Sequence, residues 1–379
     1  MNIKTITTYQ DYNYGASLQA YALQTYLIKR GHDAQLIRYE PEYLRRYYSF
    51  WYVNKESKLS RNIILRMIYR VLKWLHRMTT LKRKASFDYF NHKVIKETIA
   101  YKSKEELYNN PPVADLYICG SDQIWNILYD AGKDPVFYLD FVKSGKKASY
   151  AASFSYLDIP DDYLEVIQHY LSSFSAVSVR EWQGSEICKK MGIYAHWVLD
   201  PVFLLSAQEW EKLMNRTDII TNERNFNFYD KYILVYDFEL CNKEMETFVK
   251  RYAKQKKLRI YAIVDRFPLS YAERNFKKCG PVDFIKLIRY CHVFVSNSFH
   301  GTAFSIIFHK PFFVFNRKRH KVNSRMESLL KLFGLQNVLI TNNIDAEKAF
   351  LYSFDWNNVE KIKETNVVIS KDYLRLLGI

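Results

Sequence analysis

The sequence has no run of about 18 consecutive apolar residues, so it offers no membrane-spanning helix. Cysteine is scarce: Cys119, Cys188, Cys241, Cys279 and Cys291 are scattered, odd in number and free of CxxC spacing. That pattern excludes a disulfide framework and argues against a structural zinc site. Cys119 and Cys291 lie in or beside apolar strand-like runs and read as buried thiols of a reducing compartment. No HExxH or paired-histidine spacing occurs, so no metal is expected. The absence of GxxxxGK[ST] excludes a P-loop, and the absence of GxSxG argues against a hydrolase elbow. No helix-turn-helix, RNP or zinc-finger signature is present, so nucleic acid is not an expected partner. Strand-like sequence begins at Met1-Asn2-Ile3 and leaves no room for a signal peptide, so the expected compartment is the cytoplasm.

What is present is a long, aromatic and basic chain. Its 379 residues exceed the size at which one core usually stops growing, and two domains are expected. With 48% hydrophobic and 25% charged residues, the composition is globular. Tyrosine (31) and phenylalanine (25) are abundant, and they suit either a core or a cleft that holds polar ligands. The net charge of +16 attracts phosphates, acidic sugars or anionic lipid without saying which. More than half of it falls between Pro41 and Phe90, with 12 Lys/Arg against 3 Asp/Glu.

Strand and helix signals alternate through the N-terminal half. Ile3–Thr7 reads as a strand and Ala16–Lys29 as a helix closed by Gly31; Ala34–Tyr39 reads as the next strand. This βαβ opening implies a parallel sheet. Further strands are expected at Asp115–Cys119, Lys147–Ala151, Ala176–Val179 and Trp197–Leu199, each ending in small or polar residues where open α/β sheets place ligands. The insert 41–90 interrupts the rhythm. From Arg61 to Met78, apolar residues recur at helical spacing, with Arg66, Arg70, Lys73 and Arg77 on the other side; Trp74 sits among them, and Tyr47, Tyr48, Phe50 and Trp51 precede them. Such a helix either lies on an anionic membrane surface or packs on its own protein with the basic face in water. After an Asn-rich linker the pattern restarts, with strands at Tyr232–Tyr236, Leu258–Val264, Val293–Ser296 and Phe312–Phe315. The expected division is 1–205, a linker at 206–230, and 231–379. Two Rossmann-like halves facing a cleft resemble the GT-B arrangement.

Four segments could carry chemistry. Ser296-Asn297-Ser298-Phe299-His300-Gly301-Thr302 joins an apolar strand to an apolar helix, where free N–H groups favour an anion and His300 could exchange a proton near neutral pH. Gly301 would permit close approach of a ligand. Arg180, just past a strand, suits a bidentate grip on carboxylate or phosphate, or else an ion pair with Glu181 or another acid. Gly120-Ser121-Asp122-Gln123 offers an oxyanion or hydroxyl site, or Asp122 is an N-cap. Asn13-Tyr14-Gly15 opens the first helix and is not a GxGxxG fingerprint, so a dinucleotide is weakly supported.

Taken together and in order, Asn13–Gln24, Ile118–Asn126, Ser149–Ser155, Ser178–Glu181, Val198–Leu204 and Ser296–Ile307 resemble the polysaccharide pyruvyl transferase family. The resemblance implies a GT-B-like fold with phosphoenolpyruvate as co-substrate and no cofactor. It also implies a glycan acceptor in a surface polysaccharide precursor (capsule or exopolysaccharide), with transfer to two sugar hydroxyls as a cyclic ketal. The roles it implies for Arg180 and His300 are donor contact. The reading built on these segments sets Asn13, Gly15, Gly120, Ser121, Asn297, Ser298, Gly301 and Thr302 around the donor, with His300 as imidazolium protonating its methylene carbon and Asp122 or Asp200 taking a hydroxyl proton. Many members carry Arg where this chain has Ser298, so another phosphate ligand is needed; Lys318, Arg319 and backbone N–H groups are candidates. If the basic insert touches membrane, the acceptor is a lipid-linked sugar at the inner face of the membrane. The rival reading is a GT-B glycosyltransferase using a nucleotide sugar, with Asp265 or Glu239 on the ribose.

Overall fold

Short runs of β-branched and aromatic residues, each followed by a helix, produce two parallel sheets. The computed structural model describes residues 1–45, 53, 62–157, 159–223, 226–227, 230–239, 242–265, 267–317 and 323–379, and of His76 the backbone alone. Tyr47, Tyr48, Phe50, Trp51, Arg61, Cys241, Lys318 and Arg319 lie outside these residues.

The first lobe holds β1 (Asn2–Ile6), α1 (Tyr14–Lys29), β2 (Asp33–Tyr39), α2 (Ile63–Tyr89), β3 (Glu97–Tyr101), α3 (Lys104–Asn109), β4 (Leu116–Cys119), β5 (Lys146–Ser149), α4 (Asp161–Leu171), β6 (Val177–Val179), α5 (Trp182–Lys190), β7 (Ala195–Trp197) and α6 (Ala207–Met214). The second holds β8 (Tyr232–Tyr236), α7 (Lys243–Lys256), β9 (Arg259–Ile263), β10 (Arg274–Phe276), α8 (Pro281–Tyr290), β11 (Val293–Ser296), α9 (Phe299–Ile307), β12 (Phe312–Phe315), α10 (Ser324–Leu332), β13 (Leu339–Ile340), α11 (Asn343–Leu351) and α12 (Trp356–Leu376). Strand orders are β3-β2-β1-β4-β5 and β10-β9-β8-β11-β12-β13, with β6-β7 as a separate pair beside β5. All pairings are parallel, for example Thr5 with both Leu36 and Ile118, and Val295 with Val235 and Phe313. The architecture is thus α/β with two Rossmann-like lobes, as expected. The Trp197–Leu199 strand is displaced to Ala195–Trp197, and β3, β10 and the helices after Phe315 had no assigned signal.

Helix α1 has no charged residue before Lys29 and is buried on nearly every side. It fills the space between the lobes: Tyr14 stacks on Phe284 of α8 at 4.6 Å, and α1 also meets α9. The last helix starts against the second lobe, where Val359 is buried, and ends on the first. There Tyr373 and Leu374 join the core of Ile3, Leu23 and Ile118, and the Tyr373 hydroxyl donates to the Ser149 carbonyl at 2.6 Å. The described cysteines, Cys119, Cys188, Cys279 and Cys291, are buried and free.

Helix α2 departs from the reading that packs it on its own protein with the basic face in water. Its basic side turns toward the protein: Arg77 is only 7% exposed, and burial together with Arg77 pulls the Lys73 ammonium down to about 8. The apolar side from Ile63 to Leu81 is the one left in solvent. Beyond it the helix dives inward, burying Arg83, Ser86, Phe87 and, just past its end, Phe90.

Candidate active site

In an open parallel sheet, a crevice forms where neighbouring strands send their connections to opposite faces. The first sheet has that point between β1 and β4, the second between β8 and β11. The loops leaving these four strands meet in one cleft of about 630 Å³. Thr8, Asp11, Tyr12 and Asn13 follow β1, and Asp122 and Gln123 follow β4; Asp237, Phe238 and Glu239 follow β8, and Ser298, Phe299 and His300 follow β11. Tyr12 and Asp122 hold left-handed backbone (φ 59° and 65°), a conformation that concentrates at functional loops. The N-termini of α1, capped by Asn13, and of α9, capped by Ser298, both open toward the cleft.

The chemistry is organised around Asp200, which is fully buried. Its Oδ2 accepts from Arg180 Nη1 at 2.8 Å and Ser121 Oγ at 3.0 Å, and lies 3.4 Å from His300 Nε2. Its Oδ1 accepts from the Val202 N–H at 3.1 Å. Burial by itself would raise this carboxyl, but His300 and Arg180 hold it well below the usual carboxylate range. Asp200 is therefore a fixed anion beside the imidazole Nε2, a buried nitrogen with this carboxylate as its ion-pair neighbour and no formed hydrogen bond. The other ring nitrogen, Nδ1, packs against the first turn of α1, where only Gly15 leaves room: a Cβ there would stand 1.9 Å from it.

This geometry corrects two assignments. Asp200 is off the cleft surface with both oxygens engaged, so it is placed to orient His300 rather than to take a substrate proton. Arg180, 5% exposed, does not line the cleft; its ion pairs with Asp200 and, at 3.4 Å, Asp122 satisfy the acid-pairing alternative, with Asp200 and not Glu181 as the main partner. Glu181 instead fills the turn after β5. Its Oε1 accepts from Ser153 Oγ and from the Phe154 and Ser155 N–H groups at 2.9–3.0 Å, so that strand end holds its own carboxylate.

Among the described residues, the cations that do line the cleft are Arg83, Arg317 and Arg325. Arg325, from the first turn of α10, is pulled down to about 9 by burial and by Arg180 and Arg317. It faces Asp122 at 3.6 Å and, with the Gln123 amide oxygen turned toward it, is held at 2.9 and 3.1 Å. Arg317 lies over the Phe238 ring at 4.3 Å and donates from Nε to the Asn297 carbonyl at 3.2 Å; burial lowers it too. Phe299 carries Arg180 at 4.4 Å and Arg325 at 5.7 Å from its ring centre and sits 5.3 Å from the His300 ring. Crowded, desolvated cations beside a histidine form a site whose charge an anion would relieve. Asp11 opens onto the cleft water with protein on its other sides, and that enclosure and the Asp122 charge push its carboxyl up to about 7.

The remaining expected residues divide. Asn13, Ser298 and His300 line the cleft. Asn297 builds it from behind, donating to Asp237 at 2.8 Å and accepting from the Phe238 N–H at 2.9 Å. Ser121 and Thr302 are buried outside the lining. Gly120 and Gly301 serve packing and not ligand approach: a Cβ would meet the Tyr150 carbonyl at 2.4 Å and the Phe294 ring at 2.5 Å. Asp11, Arg83, Arg317 and Arg325 went unrecognised in the sequence. Arg317 stands two residues past β12, so the strand-end rule could have found it, whereas Arg83 and Arg325 lie on helices with no local signal. Among the described residues no cluster could hold a metal ion.

The profile of a family described as polysaccharide pyruvyl transferase matches residues 13–319. No curated protein gives a significant match. Among solved structures, the chain is similar to UDP-GlcNAc 2-epimerase from Methanocaldococcus jannaschii in complex with UDP-GlcNAc and UDP (TM-score 0.54, 13% identity, covering 100% of this chain and 99% of that one). It is also similar to the Neisseria meningitidis UDP-GlcNAc 2-epimerase bound to UDP-GlcNAc (0.53, 12%, 100% of both chains). The UDP-N-acetylglucosamine 2-epimerase from Rickettsia bellii is a third (0.51, 12%, 100% and 96%). At these identities the likeness is one of fold, the GT-B arrangement.

Proposed function

We propose that this chain, which belongs to the polysaccharide pyruvyl transferase family, transfers the three-carbon unit of phosphoenolpyruvate to two hydroxyls of one sugar as a cyclic ketal. The observation that carries the reading is His300, paired with the buried Asp200 carboxylate and set beside the arginines of the cleft. In this reading Arg317 and Arg325 take the phosphate and carboxylate, filling the place that Ser298 leaves without a cation. His300 Nδ1 gives its proton to the methylene carbon, and positive charge develops on the neighbouring carbon. A sugar hydroxyl adds there, forming a C–O bond and passing its proton to Asp11. The second hydroxyl then forms the other C–O bond while the bond from carbon to the phosphate oxygen breaks. Its proton restores His300, and inorganic phosphate leaves with the proton held by Asp11. Asp122 remains the counter-ion of Arg180 and Arg325. General acid–base help of this kind is worth about 10²–10⁴ in rate.

The nucleotide-sugar alternative fits the fold, but Asp265 is a poor ribose ligand. It is tied to Arg83 at 3.1 Å and to the Tyr236 hydroxyl at 3.1 Å. The deciding experiment incubates the protein with phosphoenolpyruvate and a panel of glycans and looks by mass spectrometry for a pyruvyl-ketal product together with released phosphate. Stabilisation by UDP-sugars but not by phosphoenolpyruvate, with no ketal product, would overturn the reading.

A further inference from the structure

Ten large apolar side chains between Ile63 and Leu81 of α2 are each 44–76% exposed, Ile63, Ile64 and Met67 most of all. At 100° per residue, Ile63 and Leu72 mark the edges of this face, so it covers about half of the helix circumference. Trp74 lies inside it at 48% exposure, and Lys82 and Arg66 are exposed at its end and flank. An amphipathic helix of a globular protein normally turns such a face inward; here the basic side, with Arg77 and Lys73, is inward instead. No helix among the described residues is long and apolar enough to cross a bilayer.

We infer that this face of α2 is seated in the headgroup region of an anionic membrane. Two observations favour a bilayer over a second copy of the chain. A face half the helix wide suits a planar surface, whereas pairing with another helix uses a narrow seam. The exposed cations at the edge and end of the face, Arg66 and Lys82, complement anionic lipid and repel a second copy. The same helix reaches the cleft, since Arg83 lines it. Trp74 lies nine residues upstream, about 14 Å along the axis. Resting on the function proposed above, this places the cleft within a few sugar lengths of the bilayer and makes a sugar carried on a membrane lipid the fitting acceptor.

The test is vesicle flotation of the full chain and of an Ile64→Glu/Val71→Glu/Leu75→Glu variant. Vesicles are pure phosphatidylcholine or phosphatidylcholine with about a third phosphatidylglycerol, at low and high salt. The expected result is flotation with the anionic vesicles that weakens with salt and falls at least about tenfold in the variant. Equal flotation of both proteins, or flotation of neither, overturns the inference; so does a concentration-dependent dimer that the variant abolishes without any vesicle binding. Turnover of phosphoenolpyruvate on a soluble glycan should be the same in both proteins. Vesicle binding without pyruvyl transfer would leave the membrane face standing and remove the catalytic reading instead.

Discussion

Gly15→Ala is the smallest perturbation that tests how His300 is held. A methyl at position 15 would stand 1.9 Å from Nδ1, 2.2 Å from Cγ and 2.7 Å from Cε1 of that ring. Ordinary carbon contacts lie near 3.5–4.0 Å, so the ring must retreat by roughly 1.5 Å. It cannot do so freely, because Nε2 is 3.4 Å from the fixed Asp200 carboxylate and Phe299 packs at 5.3 Å. A displacement of about 1 Å in a reacting group costs on the order of 100-fold. The expected loss in turnover is therefore about 10²–10⁴, the upper end being the whole value of the general acid. The net loss in stability should be up to about 2 kcal/mol: crowding costs about 1–3 kcal/mol, offset by a helix-propensity gain of roughly 1 kcal/mol for Ala over Gly. The assay pairs phosphate release from phosphoenolpyruvate with urea unfolding, and a double-mutant cycle isolates the contact. In a His300→Ala background, Gly15→Ala should become neutral or stabilising by up to about 1 kcal/mol. Near-normal turnover in Gly15→Ala, or the same stability change with and without the ring, would refute the packing argument.

Three further outcomes follow from the charges. Arg325→Gln should weaken phosphoenolpyruvate binding by about 10–100-fold, the value of a hydrogen bond to a charged group, yet leave thermal stability unchanged or raised, because the cation is already disfavoured by burial and its neighbours; ligand-induced thermal shifts read both. Asp200→Asn leaves Arg180 buried without its carboxylate and should cost about 3–5 kcal/mol at neutral pH. Asp200 is held well below its ordinary 3.8, so its contribution is complete above that value and is lost only as pH falls through the depressed folded-state value; the gap between the unfolding free energies of wild type and variant, measured against pH, should begin to shrink below about pH 4 and close only at still lower pH. Asp11, pushed up to about 7, must lose its proton to act as a base, so kcat/KM should rise with pH through that region. In Asp11→Asn that limb should vanish, and its survival in a pH–rate profile would remove Asp11 from the role.

The parallel sheets were legible because strand runs such as Tyr232–Tyr236 and Val293–Ser296 are short, apolar and followed by helical sequence; the structure sets them within a residue or two. Glu97–Tyr101 was not, since an edge strand carrying Glu, Thr and an exposed Ile99 has no continuous apolar signature. The strand-end rule found His300, Ser298, Asn13 and Asp122, whose places in the cleft depend only on local strand-to-helix turns. It misjudged Arg180, Ser121 and the two glycines, which sit at the same kind of turn but one layer deeper. Depth depends on what the other lobe lays over the turn, and Phe299 covering Arg180 is a contact between residues 119 positions apart. Arg83 and Arg325 reach the cleft from helices outside both sheets, so no local pattern could place them there. For α2 the amphipathic pattern was legible and the choice between its two orientations was not, because amphipathicity specifies two faces without saying which meets the protein.

That depth has a chemical consequence. Asp200 and Asp122 come from the first lobe, and His300 and Arg325 from the second; each pair spans the cleft, at 3.4 and 3.6 Å. An anion entering between the lobes competes with Asp122 for Arg325 but not with Asp200 for His300, because Asp200 is sealed beneath the surface with Arg180 and Ser121. In the proposed reaction the phosphate grip would therefore change partners as the donor arrives and phosphate leaves, while the imidazole keeps its orientation. A site arranged the other way, with an exposed carboxylate on the histidine and a buried one on the arginine, would give up its proton donor's alignment at each binding event. In the proposed mechanism the separation of a replaceable counter-ion from a permanent one would let a single histidine give and recover a proton at one fixed place.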